Sequence, residues 1–500
     1  MPLLPAVCLV VAALPQDAAS SPLLARTDAC ARGTLLLAEL RDHLVPPRHR
    51  AHVEVEARVV SLVHGARPDV RRTVDELRGV SLHDVGDEQR SEWQVRSTER
   101  DPARENGELR TIDVAPADVR GADGNSAGIH LRARLTRTAP YPYVVLDWVQ
   151  RNGRVVDLIE GQYGPAVLVE VPGGRVLART IALDHGGVEV PGLVGFDWWI
   201  HDDLLGDVVE SLTYVPEPSP APGIAAGWRI EGPIGTGEEA TVVDVSETWE
   251  RVAPIPPTPF HTRLQEVTVR VEPLGGDAFE VLLPDQNARV LALALDVGWV
   301  VLEAPVSSEV GEAVLAALEE ERPGLRVRYV AVSHHHPHYI AGLRPFVARG
   351  ATIVCPSDIE AYVEYLVLRP RTLVPDALTA SHERPEFIGI DPGELWSIPG
   401  HDDRLVAIEA DGRSAHTEAF LAFVLPDLGI GFGGDILWIP EDPEIRRRSP
   451  RTAGLAAILE NAEIPIETYY TSWPVTREPL GGIVWRDSAP IAEIEAARSR

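Results

Sequence analysis

The stretch VRYVAVSHHHPHYIAG, residues 327–342, decides how this chain is read. Four of the sixteen histidines fall here, at 334, 335, 336 and 338, after a run of apolar β-formers and before a helical pattern. On an extended segment alternate side chains share a face, so His334, His336 and His338 point one way and His335 the other, where it stabilises the loop. Two imidazoles two positions apart reach one tetrahedral zinc at about 2.0–2.1 Å each. Pro337 suits the irregular backbone such a site needs at the end of a strand. Taken alone, the run is either a metal site or a histidine-rich turn.

The surroundings have a regular texture from about residue 262. VTVRVEPL, AFEVLLPD, RVLALAL and WVVLEAP are successive strands. SSEVGEAVLAALEEERPG (307–324) has a Ser cap, apolar residues at Val310, Val314, Leu315 and Leu318, and a Pro-Gly stop, which predicts a helix. Beyond the histidines, IAGLRPFVARG reads as a helix, ATIVC as a strand and SDIEAYVEYLVL as a helix capped by Ser357. RLVAIEADG and FLAFVLPDLGIGFGGD are strands, the second a hairpin about PDLG. Strands followed by alternating strands and helices make an α/β layered domain.

In that setting His334-His335-His336-Pro337-His338-Tyr339-Ile340-Ala341-Gly342 resembles H-x-H-x-D-H-x-x-G, the hallmark of the metallo-β-lactamase superfamily of metallohydrolases. Upstream, Glu303-Ala304-Pro305 stands where that family carries an Asp-containing turn; downstream, DGRSAHTEAFLAFVLPDLGIGFGGD resembles its later metal segments and supplies His416 and Asp435. The resemblance covers roughly 265–475. It implies a four-layer αββα sandwich over 262–485, a β-rich N-terminal region over 22–260 and a tail over 486–500.

The departures from the family pattern fall on one side. In the family, one metal takes the first two histidines and the downstream histidine, a second takes the motif's Asp, its last His and a C-terminal His, and a downstream Asp bridges both. Here His334, His336, His416 and Asp435 keep the first set, while the second is replaced by His338 and Tyr339, and no histidine follows His416. YYTSWPV (469–475) stands where the C-terminal histidine is expected. The resemblance therefore implies one Zn2+ per chain on His334, His336, His416 and Asp435, with hydrolysis of an ester- or amide-type small molecule by metal-bound hydroxide. His338, Tyr339 and Asp435 are the candidate catalytic groups, His338 as a base or ligand and Tyr339 as an oxyanion donor, an unusual ligand or a packing aromatic. Two other readings stand beside this one. A descendant with the same fold and no catalysis would serve as a binding or structural protein, and iron in the same donor set would suit oxygen chemistry.

Composition narrows the partners. The formal net charge is −29, which argues against nucleic acid and anionic membrane, since phosphate binding needs a basic face. All 46 basic residues are Arg, and the one Met is the first residue. Residues 1–21 hold an apolar run followed by small residues, which predicts a signal peptide and export to the periplasm or beyond, although no Lys or Arg precedes the run. A short buried helix is the alternative. That run is too short to span a membrane, and no other candidate span is present. Cys30 and Cys355 read as independent thiols.

The region before 262 carries no chemical motif. ARGTLLLAELRDHLV (31–45) is a helix, and most of 50–210 reads as strands, including YVVLDWVQRNGRVVDLIEG with a hairpin turn at RNGR. The Pro-rich passages 214–223 and 252–260 are natural linkers. FDWWIHDDLLGD (196–207) gathers two Trp, one His and acidic residues, either as a ligand wall or cation site or as an aromatic core edge with a solvated acidic turn.

Overall fold

The computed structural model describes residues 22–44, 51–62, 71–83, 91–99, 110–113, 141–160, most of 164–247, 267–437 and most of 439–495. The segment read as a signal peptide, the stretch GIHLRARLTRT (128–138) among those the sequence reads as strands, and the 252–260 passage lie outside the described residues.

The N-terminal half is an antiparallel sheet with two helices on it. After α1 (Pro22–His43) come β1 (Ala51–Leu62), β2 (Arg71–His83), β3 (Ser91–Glu99), β4 (Arg110–Asp113), then α2 (Pro142–Asn152). β5 (Arg154–Glu160), β6 (Pro165–Val171), β7 (Gly174–Asp184), β8 (Glu189–Asp202), β9 (Gly206–Tyr214), β10 (Gly227–Glu231) and β11 (Gly237–Glu247) follow. β1 pairs with β11, so two meanders become one sheet in the order β4-β3-β2-β1-β11-β10-β9-β8-β7-β6-β5. Leu37 and Leu40 of α1 and Val145 and Val149 of α2 are buried in one core with Val167, Val169, Phe196 and Trp198 of the sheet.

Two sequence expectations change here. Residues 142–152 are helical, not a strand turning at RNGR: Val145, Leu146 and Val149 are all fully buried, and only helical spacing brings those three positions to one face. Pro142 opens that helix, where its missing N–H costs nothing, and Gly153 ends it. The first Pro-rich passage joins β9 to β10, which pair directly (Trp228 opposite Tyr214), so it is a loop within one sheet and not a link between domains.

The C-terminal half is built of four layers. β12 (Arg270–Gly275), β13 (Ala278–Leu283), β14 (Ala288–Leu295) and β15 (Gly298–Leu302) run antiparallel, and β16 (Val327–Ala331), β17 (Thr352–Pro356) and β18 (Glu386–Ile390) continue the sheet in parallel. The crossover elements are α3 (Ser308–Glu321), α4 (Pro337–Ile340), α5 (Arg344–Val347), α6 (Glu360–Val367) and α7 (Ala377–Ser381). A third sheet holds β19 (Leu395–Ile398), β20 (His401–Glu409), β21 (Leu421–Leu425), β22 (Ile430–Phe432), β23 (Thr468–Tyr470) and β24 (Ser488–Pro490), in that order, with α8 (Pro450–Ala462) and α9 (Ile491–Glu495).

Strand alternation explains the layering. Val300 and Leu302 face inward to Leu421, Phe423 and Phe432 of the third sheet. Trp299 and Val301, one position off, face outward to Val310, Val314 and Leu318 of α3, the helical stripe the sequence predicts, and Ser307 caps that helix by accepting the Val310 N–H. On the far side Val406, Ile408 and Val424 meet Leu455 and Ile458 of α8. Ser357 is not a helix cap; it opens a single 3-10 turn before α6. Among the described residues no helix is long and apolar enough to cross a membrane.

Candidate metal centre

Loops from both sheets of the C-terminal half meet at one end. His334 and His336 lie just beyond β16, His416 on the loop between β20 and β21, and Asp435 just beyond β22. The two sheet ends are tied where they meet, because the Leu421 N–H donates to Ser333 O at 2.8 Å. One donor atom from each of His334, His336, His416 and Asp435 lies within 4.8 Å of the others.

The spacing of these atoms is that of a small cation's ligands. His334 Nε2 and His416 Nε2 are 3.2 Å apart. Asp435 Oδ1 is 2.8 Å from His416 Nε2 and 3.5 Å from His334 Nε2. Donors set tetrahedrally at about 2.0–2.1 Å from a centre stand about 3.3 Å from one another. Burial, with His336 and His416 beside it, holds the His334 imidazole well below its ordinary pKa. Burial alone would raise the Asp435 carboxyl, but His416, His334 and His336 outweigh it and hold it well below the carboxylate range. Neutral imidazole and ionised carboxylate are the forms that bind a metal.

His334, the His416 loop and Asp435 are held from behind. Ser333 Oγ is 2.8 Å from His334 Nδ1, so an Nδ1–H donating there leaves the Nε2 lone pair for the centre. Ser414 Oγ accepts the N–H groups of His416 (3.1 Å) and Thr417 (3.0 Å), and its hydroxyl donates to Thr417 O. The same loop is held at its base by the buried Glu409, which accepts from Gly393, Asp411 and Phe420. Gly434, at φ +33°, brings its backbone against His334; a Cβ there would stand 2.8 Å from Ser333 Oγ and 2.9 Å from His334 Cε1. Arg451 of α8 donates to Asp435 O at 3.1 Å and lies 3.7 Å from its Oδ2.

Glu303 holds the two loops together. It is fully buried at φ +78° and accepts the Ser333 N–H at 3.2 Å and the Gly434 N–H at 3.0 Å. Burial raises its carboxyl to about 7 against the pull of those bonds. The sequence marks the Glu303 turn and Ser333 without giving either a role. Arg451 carries no local signal at all.

The motif's second half departs from the extended reading. His336 is still extended, but Pro337 opens α4 and the alternation stops. His338 therefore leaves the face of His334 and His336, and its ring lies nearly parallel to Trp473 with centroids 6.2 Å apart. Tyr339 turns inward: its ring is 4.6 Å from that of His334, and its buried hydroxyl lies beside Asp435 and Ser472, where burial first and the Asp435 charge next hold its pKa well above the ordinary value. His335 is buried but outside the donor set, packed against Tyr362. Ser472 Oγ and Thr471 Oγ1 donate to Gly434 O at 2.9 and 3.0 Å, so the segment expected to bring a C-terminal histidine brings hydroxyls and Trp473. Of the twelve residues 196–207, Phe196, Trp198 and Ile200 are core, and none joins a metal-ligand group among the described residues.

No family model and no curated protein matches the chain. Among solved structures it is similar to the metallo-β-lactamase DIM-1 (12% identity, TM-score 0.32, covering 47% of this chain and 97% of that one). It is also similar to the metallo-β-lactamase FIM-1 from Pseudomonas aeruginosa in its mono-zinc form (14%, 0.32, 47% and 95%). A third is the inverting sec-alkylsulfatase Pisa1 from Pseudomonas sp. (13%, 0.31, 46% and 40%). These similarities extend over about 47% of this chain and leave the reaction open.

Proposed function

We propose that this protein is an exported metallohydrolase of the metallo-β-lactamase type that works with one zinc ion on an ester- or amide-type small molecule. One observation carries the reading: one donor atom from each of His334, His336, His416 and Asp435, brought by three loops, lies within 4.8 Å of the others. Zinc bound there would supply a Lewis acid and a water acidified toward neutral pH.

The chain's own residues divide the remaining work. Ser333 fixes the His334 ring, Ser414 and Glu409 fix the His416 loop, and Asp435 is the one carboxylate among the four donors. Tyr339 keeps its phenol protonated beside the donor set, a group suited to donate to an oxyanion that develops on the substrate. His338, apart from the donors beside Trp473, serves as a wall of the site and not as a ligand. A descendant that binds without catalysis is favoured by one observation, the replacement of the second metal's ligands at His338, Tyr339 and 469–475.

Metal content per chain of the purified protein, by elemental mass spectrometry with His334→Ala beside it, tests the reading. About one zinc, lost in the variant, supports it and calls for an ester screen. Iron in its place points to oxygen chemistry, and no metal after incubation with zinc leaves the binding-protein reading. Export is tested separately, by fractionating cells that express the full chain and sequencing the mature N-terminus.

A further inference from the structure

The acidic tip of the β8–β9 hairpin, in the FDWWIHDDLLGD stretch, is the part of the N-terminal sheet that reaches the metal-bearing half. Asp207 Oδ2 accepts the Thr372 N–H at 2.5 Å, the Thr372 hydroxyl at 2.6 Å and the Leu373 N–H at 3.1 Å. Its own N–H donates to Pro370 O at 2.7 Å, and Arg369 donates back to Leu205 O (3.0 Å) and Asp207 O (3.1 Å). Gly206, at φ +69°, lets the two backbones touch; a Cβ there would stand 2.5 Å from Pro370 O. Beneath them Arg371 Nη1 is 3.4 Å from His201 Nε2, both residues being buried.

The segment so gripped is the one that holds the end of the histidine loop. Arg344, two residues past Gly342 and 5% exposed, donates to Asp376 through both Nε (2.5 Å) and Nη2 (2.8 Å). Its Nη1 donates to Val367 O and to Arg369 O at 3.1 Å. Leu204 of the hairpin borders a small cavity with Ile340, Ala341 and Leu343, the residues directly after the motif.

We propose that Asp207 is a positioning residue for the metal loop: through Thr372, Leu373 and the Arg344 cluster, the N-terminal sheet sets the order of residues 333–348. The N-terminal half is then a working part of the site and not an appendage. What that order is for rests on the metal reading above, but its test does not.

Amide hydrogen exchange on the full, metal-free chain decides it. Asp207→Ala is expected to raise exchange about tenfold in peptides covering 333–348 and 367–379 while leaving 401–425 unchanged. Asp207→Asn keeps an acceptor for the Thr372 N–H and is expected to lie between. Arg229→Ala, which breaks the exposed Arg229–Glu239 pair (2.8 Å) on the same sheet, is expected to change neither segment. No rise in 333–348, or an equal rise in 401–425, overturns the proposal. If Asp207→Ala fails to fold, the Asn variant decides by the same two segments. Cobalt titration of the same proteins separates the readings: a wild type that takes no cobalt sinks the metal site, and the exchange result still stands or falls by itself. If wild type binds, Asp207→Ala is expected to bind about tenfold more weakly.

Discussion

Two pockets share the loop 333–342, and they are opposites. On one side His334, His336, His416 and Asp435 converge, with a hydroxyl behind His334, another under the His416 backbone and an arginine on Asp435. On the other, His338 lies along Trp473, Tyr339 packs on His334, and Thr471 and Ser472 spend their hydroxyls on Gly434 O. The first pocket gathers four donors; the second is closed by side chains. The difference teaches that the residues at 338, 339 and 471–473 act together, because they are neighbours in space.

The largest effect expected is loss of the metal itself. His334→Ala or His416→Ala should take metal content from about one per chain to near zero, since two imidazoles and a carboxylate hold zinc far more weakly than three and one. His335→Ala should leave the content unchanged. Equal loss from His335→Ala would break the comparison, for it would put that ring in the donor set.

Glu303 gives the next largest effect, and it sharpens the first pocket by removing the metal. Its native pKa of about 7 lies above the ordinary 4.5. Between those values the unfolded chain has lost the proton that the native chain keeps, so this contribution is whole below 4.5 and is lost as pH rises through 7. The sum is about 3 kcal/mol. Denaturant unfolding of the metal-free protein should show stability falling across that window, and Glu303→Gln should lack the fall. A Glu303→Gln protein with the wild-type slope would mean the carboxyl is not the group at work.

Ser333→Ala acts on one ligand's orientation alone. Losing the partner of His334 Nδ1 should weaken zinc or cobalt binding about tenfold, read by competition with a chelator, while stoichiometry stays at one.

Ser333 and Glu303 also show what the sequence could carry and what it could not. His334, His336, His416 and Asp435 are legible because metal ligands need particular residue types, and three of the four follow strands whose apolar runs are plain. The αββα layering is legible for the same reason, from the period-two strands and the 310–318 stripe. The face of His338 is not legible, because it depends on whether extended backbone persists beyond Pro337, and there one proline turns strand into helix and rotates the side chain away. Residues 142–152 read as a strand because a helix with three buried apolar residues and a strand share composition, and only the spacing separates them. The pairing of β1 with β11 and the Asp207 clasp are contacts across some 180 and 165 positions, and nothing local in sequence encodes such a distance.

The smallest effect expected is none, and it bears hardest on the second pocket. His338→Asp with Tyr339→His restores the family's residue types at both motif positions. If that pocket were merely short of ligands, the double variant would take up a second metal. The geometry predicts that it will not. His338 lies along Trp473 and not toward the centre, so an Asp in its place starts from the wrong direction, and the third ligand is absent because Thr471 and Ser472 are bonded to Gly434. Elemental analysis should therefore still give about one metal per chain in the double variant. Adding Trp473→His should be the first change to move it, since it opens the wall and supplies an imidazole together. Two metals in the double variant alone would show that the pocket was eroded and not refilled, and that the two sides of the loop are less different than their packing says.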